Sequence, residues 1–422
     1  MCCGRQGPDL LSLQLSDNQL SGTLPDAFMY AQQLRDFGAA SNQLTGPIPA
    51  SLPYTPGLRQ LTLAHNQLTG SITPWIGALS NLRVVDLRDN ELTGVLPSSL
   101  GWSPTLEVLR VDDNQLDEIP LRWDGSRLRV FTASGNLLRA AVPPGMAQHP
   151  TLEWLDLSRN SLAWQANWTS LPELRIADLS ENRIEGGFPA DLLEAAPKLE
   201  SLSLEGNQLS GPLPKLRGGS GASLRLLSVK GNKLSGDVPD SWTQLGVFTV
   251  LPGLSASPSA AELPELPDYN ELNLADNPFF GVLPNLTRSL PEELKPHLRL
   301  SLLRTGFGPY TLAAYKDYHS PDDDLDGVLV RVERAASDWL KSIHRRSAPP
   351  PPSYYTAARA SGGSQPAGVF TSPIAIGIAL GAAAGAACLA IAIRALLRFC
   401  GSQRADAMLP LLGKLPSQDK AS

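Results

Sequence analysis

The sequence predicts an α/β-type repeat solenoid, a horseshoe with a short parallel β-sheet on its concave face, followed by one transmembrane helix. Three observations predict it. Eleven asparagines (Asn18, Asn42, Asn66, Asn90, Asn114, Asn136, Asn160, Asn182, Asn207, Asn232 and Asn277) recur at intervals of 24, 24, 24, 24, 22, 24, 22, 25, 25 and 45 residues. Each closes an apolar phrase such as Leu106, Leu109, Val111, Asn114, and 20 uncharged residues run from Ile374 to Ile393. Each period supplies a short strand whose inward apolar residues cannot be buried alone, so neighbouring turns must stack into a continuous core. The Asn amide is expected to satisfy backbone groups inside its own turn, which an apolar core otherwise leaves unpaired.

The chain has 422 residues, 42% hydrophobic and 18% charged, which is a globular composition. A net charge of −6 argues against nucleic acid as a partner. The cysteines are Cys2, Cys3, Cys388 and Cys400, so the repeats contain no thiol and cannot hold an internal disulfide.

The repeat domain is expected to span residues 10–288 in about eleven turns. Its best phrases read NQLSGTLP from Asn18, NQLTGPIP from Asn42, NELTGVLP from Asn90, NQLSGPLP from Asn207 and NKLSGDVP from Asn232. This LxxLxLxxNxLxGxIP pattern resembles the plant-type leucine-rich repeat. A Gly four residues after the Asn permits a tight turn, and the following Pro fixes φ as the chain leaves for the convex side. Two turns depart from the pattern: the phrase after Asn160 lacks both Gly and Pro, and the interval before Asn277 holds an inserted loop at about 246–266.

Residues six, four and two before each Asn are expected to point away from the core. The row at minus six carries Val84, Val108, Val130, Trp154 and Ile176 in succession, an apolar stripe on a face expected to be wet. The other two rows flank it with Asp86, Arg88, Arg110, Asp112, Asp156, Asp178 and Glu205. An apolar stripe with a polar rim is the pattern of a protein or peptide interface. The candidate ligand-binding residues are therefore Val84, Arg110, Val130, Trp154, Asp156, Ile176 and Asp178; mutual packing along the row is the alternative.

Residues 289–347 are expected to form a C-terminal cap and juxtamembrane segment. Within it, residues 322–333 place Asp322, Asp324, Asp326 and Glu333 at the oxygen-ligand positions of a calcium loop, with Gly327 at the bend. Pro321, and Val330 at the ninth position, depart from that pattern, and the alternative is an acidic patch that keeps the stalk solvated. No other cofactor is implied. A Pro/Ser/Gly stalk follows at 348–368.

Residues 369–393 are long enough to cross a bilayer, and Arg394, Arg398 and Arg404 behind them place the tail, 394–422, in the cytoplasm and the repeats outside. Gly377, Gly381 and Gly385 put small residues on one helix face, as helices that associate in lipid do; the alternative is an Ala/Gly-rich composition alone. The sequons Asn167-Trp-Thr and Asn285-Leu-Thr are glycosylation acceptors if the repeats are luminal. Met1 to Asp9 does not read as a signal peptide, which leaves two alternatives: the true start is missing from this sequence, or a C-terminal tail anchor holds the repeats in the cytosol.

Together these features resemble the receptor-like proteins of plants and green algae, which carry no kinase domain. The resemblance implies a single-pass plasma-membrane glycoprotein without enzymatic activity. Its ectodomain would bind a protein, peptide or saccharide, and it would signal through a co-receptor kinase or a second copy joined at the membrane helix. The paired-cysteine caps of that family are missing, and Cys2 and Cys3 are expected to be the remnant of one. The competing reading is a cytosolic, tail-anchored scaffold, cytoskeletal or ciliary in a green alga. An enzyme is disfavoured, since the five histidines are scattered and no GxSxG or HExxH occurs.

Overall fold

The computed structural model describes residues 10–26, 28–123, 125–163, 167–249, 263–280 and 298–302. Among these, twelve short strands form one parallel sheet in strict chain order: β1 (Ser12–Gln14), β2 (Asp36–Gly38), β3 (Gln60–Thr62), β4 (Val84–Asp86), β5 (Val108–Arg110), β6 (Val130–Thr132), β7 (Trp154–Asp156), β8 (Ile176–Asp178), β9 (Ser201–Ser203), β10 (Leu226–Ser228), β11 (Asn270–Asn273) and β12 (Leu298–Ser301). The register is in phase, so equivalent residues pair: Val84 with Val108, Val130 with Trp154, Trp154 with Ile176. The long interval before Asn277 leaves the ladder unbroken, with Leu226 opposite Glu271. β12 extends the sheet past residue 288, pairing Glu271 with Arg299.

The inward residues form one continuous core, from Leu13 and Leu34 at one end to Leu274 and Phe279 at the other. Two tryptophans fill it at turn boundaries, each with its indole N–H satisfied: Trp123 donates to Pro120 O and Trp242 to Pro214 O, both at 2.9 Å. The convex side consists mostly of 3-10 turns, with one short α-helix at Ala190–Ala195.

Each Asn does more than close its own turn. Asn114 Nδ2 donates to Val111 O and Asp112 O within the turn and to Leu87 O in the turn before, and its Oδ1 accepts the N–H of Leu92, also in the turn before. The same four bonds recur at Asn66, Asn90, Asn136, Asn160, Asn182 and Asn207, so the ladder staples neighbouring turns together. The residue before each of these asparagines holds a positive φ, as at His65 (55°) and Gly135 (63°).

A second set of parallel strands follows the Asn positions: Ser21–Thr23, Gln43–Gly46, Gln67–Ser71, Glu91–Val95 and Gln115–Glu118 in one group, Glu185–Gly186, Gln208–Pro212 and Lys233–Ser235 in another. The break falls at the turns of Asn136 and Asn160; Gly is absent four residues on from both, as it is from Asn114, whose strand ends the first group. At Gly70, in an intact turn, φ is 79°, a conformation an L side chain resists.

The insertion begins inside the core. Val247 and Phe248 are buried, and Asn270 Nδ2 donates to Val247 O at 3.1 Å. The calcium-loop candidates Asp322, Asp324, Asp326 and Glu333, the stalk, the span with Gly377, Gly381 and Gly385, the tail and Asn285 lie outside the described residues. Among those described, no helix is long and apolar enough to cross a membrane.

Candidate ligand-binding face

All seven candidate residues fall on the central strands of the concave sheet, β4 to β8. The expectation that their apolar members are exposed is corrected. Val108, Val130, Trp154 and Ile176 are buried in a cluster of their own, separate from the main core, with Val84 packed at its edge. Trp154 keeps only 7% of its surface. Two causes act. Neighbouring strands lie about 4.8 Å apart, so in-phase side chains cover one another. In addition, Leu263 and Leu266, from the end of the insertion, pack against the cluster.

The aspartates of the polar rim are buried too, while Arg88, Arg110 and Glu205 are half-buried. Asp156 is 2% exposed, and its Oδ1 accepts from Ser158 N at 3.0 Å and Ser158 Oγ at 2.8 Å. Asp178 accepts the Ser180 N–H at 2.9 Å. Asp112 reaches into the following turn, accepting from Ser134 N at 2.9 Å, Ser134 Oγ at 3.0 Å and the Thr132 hydroxyl. Arg88 donates to both oxygens of Asp86, and the Arg110 guanidinium stands 5.9 Å from the Trp154 ring centre. Burial, then the charges of Asp178 and Asp112, raise the Asp156 carboxyl well above its ordinary value. Burial likewise raises Asp112, against the lowering effect of its hydrogen bonds and of Arg88. Farther along, burial pushes Glu271 up to about 8, although Arg299 on the adjacent strand pulls it down.

Several buried atoms on this face have no hydrogen-bond partner among the described residues: Trp154 Nε1, Asp178 Oδ2, Ser203 Oγ, Glu271 Oε1 and Ser301 Oγ. They span β7 to β12 on the two rows six and four before the Asn. Buried polar atoms are nearly always paired, so a line of unpaired ones along one face is unusual.

A charged row at minus seven escaped the reading of three rows. Arg83, Glu107, Arg129, Glu153, Arg175, Glu200 and Arg225 alternate in sign from turn to turn. Arg129 and Glu153 meet at 2.6 Å, Arg175 and Glu200 at 2.6 Å, Arg83 and Glu107 at 3.5 Å. The signal was present as alternating charge at the repeat interval. Leu263 and Leu266 carry no such periodic signal.

Two features elsewhere resemble sites. Ser126 Oγ and His149 Nε2 lie 2.8 Å apart, but both residues are buried and His149 Nδ1 accepts the Thr151 N–H at 3.4 Å. That bond puts the imidazole proton on Nε2, leaving no lone pair there for the serine, and burial lowers the ring's pKa to about 4. The pair is a core hydrogen bond. A groove of about 520 Å³ lies beside the second sheet, lined by Val95, Pro97, Trp102 and Leu121, with Arg122 stacked 4.9 Å over Trp102. Asn167 is exposed, so the first sequon is sterically open.

The leucine-rich repeat family pattern matches residues 56–116, and a second leucine-rich repeat pattern matches 9–31 and 198–217. No curated protein is similar to the chain by sequence. Among solved structures, it is similar to the plant peptide hormone receptor RGFR1 in complex with RGF2, at 29% identity and a TM-score of 0.59, covering 71% of this chain and 44% of that one. PEPR1 in the PEPR1–AtPEP1 structure matches at 27% and 0.57, over 71% and 38% of the two chains. The TDR receptor matches at 26% and 0.56, over 71% and 52%. The chain therefore spans about half or less of the length of each of these receptors.

Proposed function

We propose that this solenoid of plant-type leucine-rich repeats is a non-enzymatic recognition protein that binds an extended peptide or protein segment on its concave face. One observation carries the reading: an apolar cluster distinct from the core sits on that face beside a line of buried polar atoms that have no hydrogen-bond partner among the described residues. An extended segment supplies what both lack, since its side chains fill an apolar stripe while its backbone N–H and C=O groups pair the unsatisfied atoms. Val84, Arg110, Val130, Trp154, Asp156, Ile176 and Asp178 are the contact residues in this reading. The similar receptor solved with RGF2 is described as a peptide hormone receptor, which supports the ligand class.

The protein is anchored by residues 369–393 with the repeats outward, and holds a membrane partner close through Gly377, Gly381 and Gly385. Its mechanism is proximity, because co-localising two membrane proteins raises their effective concentration without new chemistry.

Two experiments test this. Ten-residue extended peptides selected from a random library on the full-length protein in detergent should lose at least tenfold in affinity on Trp154→Ala and Asp178→Ala, but not on Trp75→Ala, at an exposed position elsewhere. Binders indifferent to both concave variants would overturn the site. A glycosidase mobility shift abolished by Asn167→Gln with Asn285→Gln supports the outward orientation; no shift, with the repeats digested from the cytosolic side of sealed vesicles, overturns it.

A further inference from the structure

The end of the insertion reads Leu263, Pro264, Glu265, Leu266, Pro267 and runs into β11 at Asn270. Both leucines pack on the apolar cluster of β4 to β8, so to reach β11 the segment crosses the strands of the concave sheet. The prolines hold φ near −65°, which favours an extended left-handed helix of three residues per turn. At a rise of about 3.1 Å per residue, Leu263 and Leu266 stand about 9 Å apart on one side, close to two strand spacings of about 4.8 Å each. A leucine at every third residue of such a segment therefore matches every second strand of the stripe.

The far end is pinned. Arg225, itself buried, donates through Nη2 to Pro267 O at 2.6 Å and through Nε to Asn270 Oδ1 at 3.3 Å. Arg225 thus fixes the β11 end of the segment whose leucines meet the stripe.

We infer that Leu263 to Pro267 is a built-in occupant of the ligand stripe, a cis competitor that closes the concave face at rest. The segment that replaces it is a proline-bearing extended peptide with apolar residues three apart. This rests on the concave-face reading and names both the peptide pattern the face takes and the contact that must yield. A tethered occupant acts at an effective concentration on the order of 1 mM, so it raises the apparent Kd of every peptide that competes for the stripe by one common factor.

The test uses the full-length protein in detergent and a fluorescent peptide of the sequence LPELPDY, with DPEDPDY as the control. Wild type should bind LPELPDY at least tenfold more weakly than Leu263→Asp/Leu266→Asp, and adding Trp154→Ala to that variant should abolish binding. Leu263→Ala/Leu266→Ala, a milder change on the covering segment, should show the same gain and guards against misfolding of the aspartate variant. Equal affinity for wild type and both strap variants, or binding to none of them, overturns the inference. The library-selected peptides separate the two readings: if they still depend on Trp154 while LPELPDY shows no strap effect, the concave site stands and the self-occupied stripe falls.

Discussion

Arg225 Nη2 donates to the carbonyl oxygen of Pro267 at 2.6 Å, joining residues 42 apart in the chain. Burial lowers the pKa of this guanidinium, while the charges of Glu200 and Asp268 offset part of the effect. Replacing it with methionine keeps the stem and removes the donors. A charge-assisted bond to a buried carbonyl is worth about 2 kcal/mol, so Arg225→Met should speed hydrogen exchange of the Leu266, Asp268, Tyr269 and Asn270 amides roughly 30-fold through local opening. Unchanged exchange would show that Arg225 does not hold the segment.

The asparagine ladder predicts a position-dependent cost. Asn114 is buried with side-chain bonds to two turns, whereas the Asn18 side chain, at the exposed end, donates to Leu15 O and Ser16 O of its own turn. Asn114→Ala strands three buried carbonyls and one N–H, and should lower unfolding stability by about 3 kcal/mol in denaturant titration. Asn18→Ala should cost under about 1 kcal/mol by the same principle. Equal costs would mean that the cross-turn bonds add nothing.

The left-handed residue before each Asn gives a pair of opposite substitutions. Ser41 holds φ at 54° with a side chain, while Gly231 holds 67° without one and has room for a Cβ, its nearest neighbours being 3.6 Å away. Ser41→Gly should stabilise by about 0.5 kcal/mol and Gly231→Ala should destabilise by about 1 kcal/mol, since only the conformation differs. Thermal melts of the two variants should move in opposite directions.

Glu271 makes stability fall with rising pH. Its folded pKa of about 8 lies above the usual carboxylate value because burial disfavours the charged form. The stabilisation is therefore fully present below the unfolded pKa and is lost progressively as pH rises towards 8. Glu271→Gln should gain on wild type at pH 8, with the difference vanishing near pH 4. A difference that does not change with pH would show that Glu271 is not protonated in the folded state.

The repeat was legible because a solenoid places its interactions at fixed sequence distances. Leu106, Leu109 and Val111 announce a strand and two inward faces, and Asn114 closes it. From such phrases alone follow the eleven strands β1 to β11, their in-phase register and the concave rows that carry Trp154, Asp156 and Asp178. Even the alternating charges from Arg83 to Arg225 obey the period. Which row is wet was decided only in three dimensions. Leu263 and Leu266 come from the one interval that breaks the repeat, so no periodicity links them to Val130 or Ile176. Their contact depends on where the insertion returns to the sheet, the place where Arg225 bonds Pro267 O. The split of each Asn between its own turn and the turn before likewise depends on how closely two turns stack, a distance that the packed core determines.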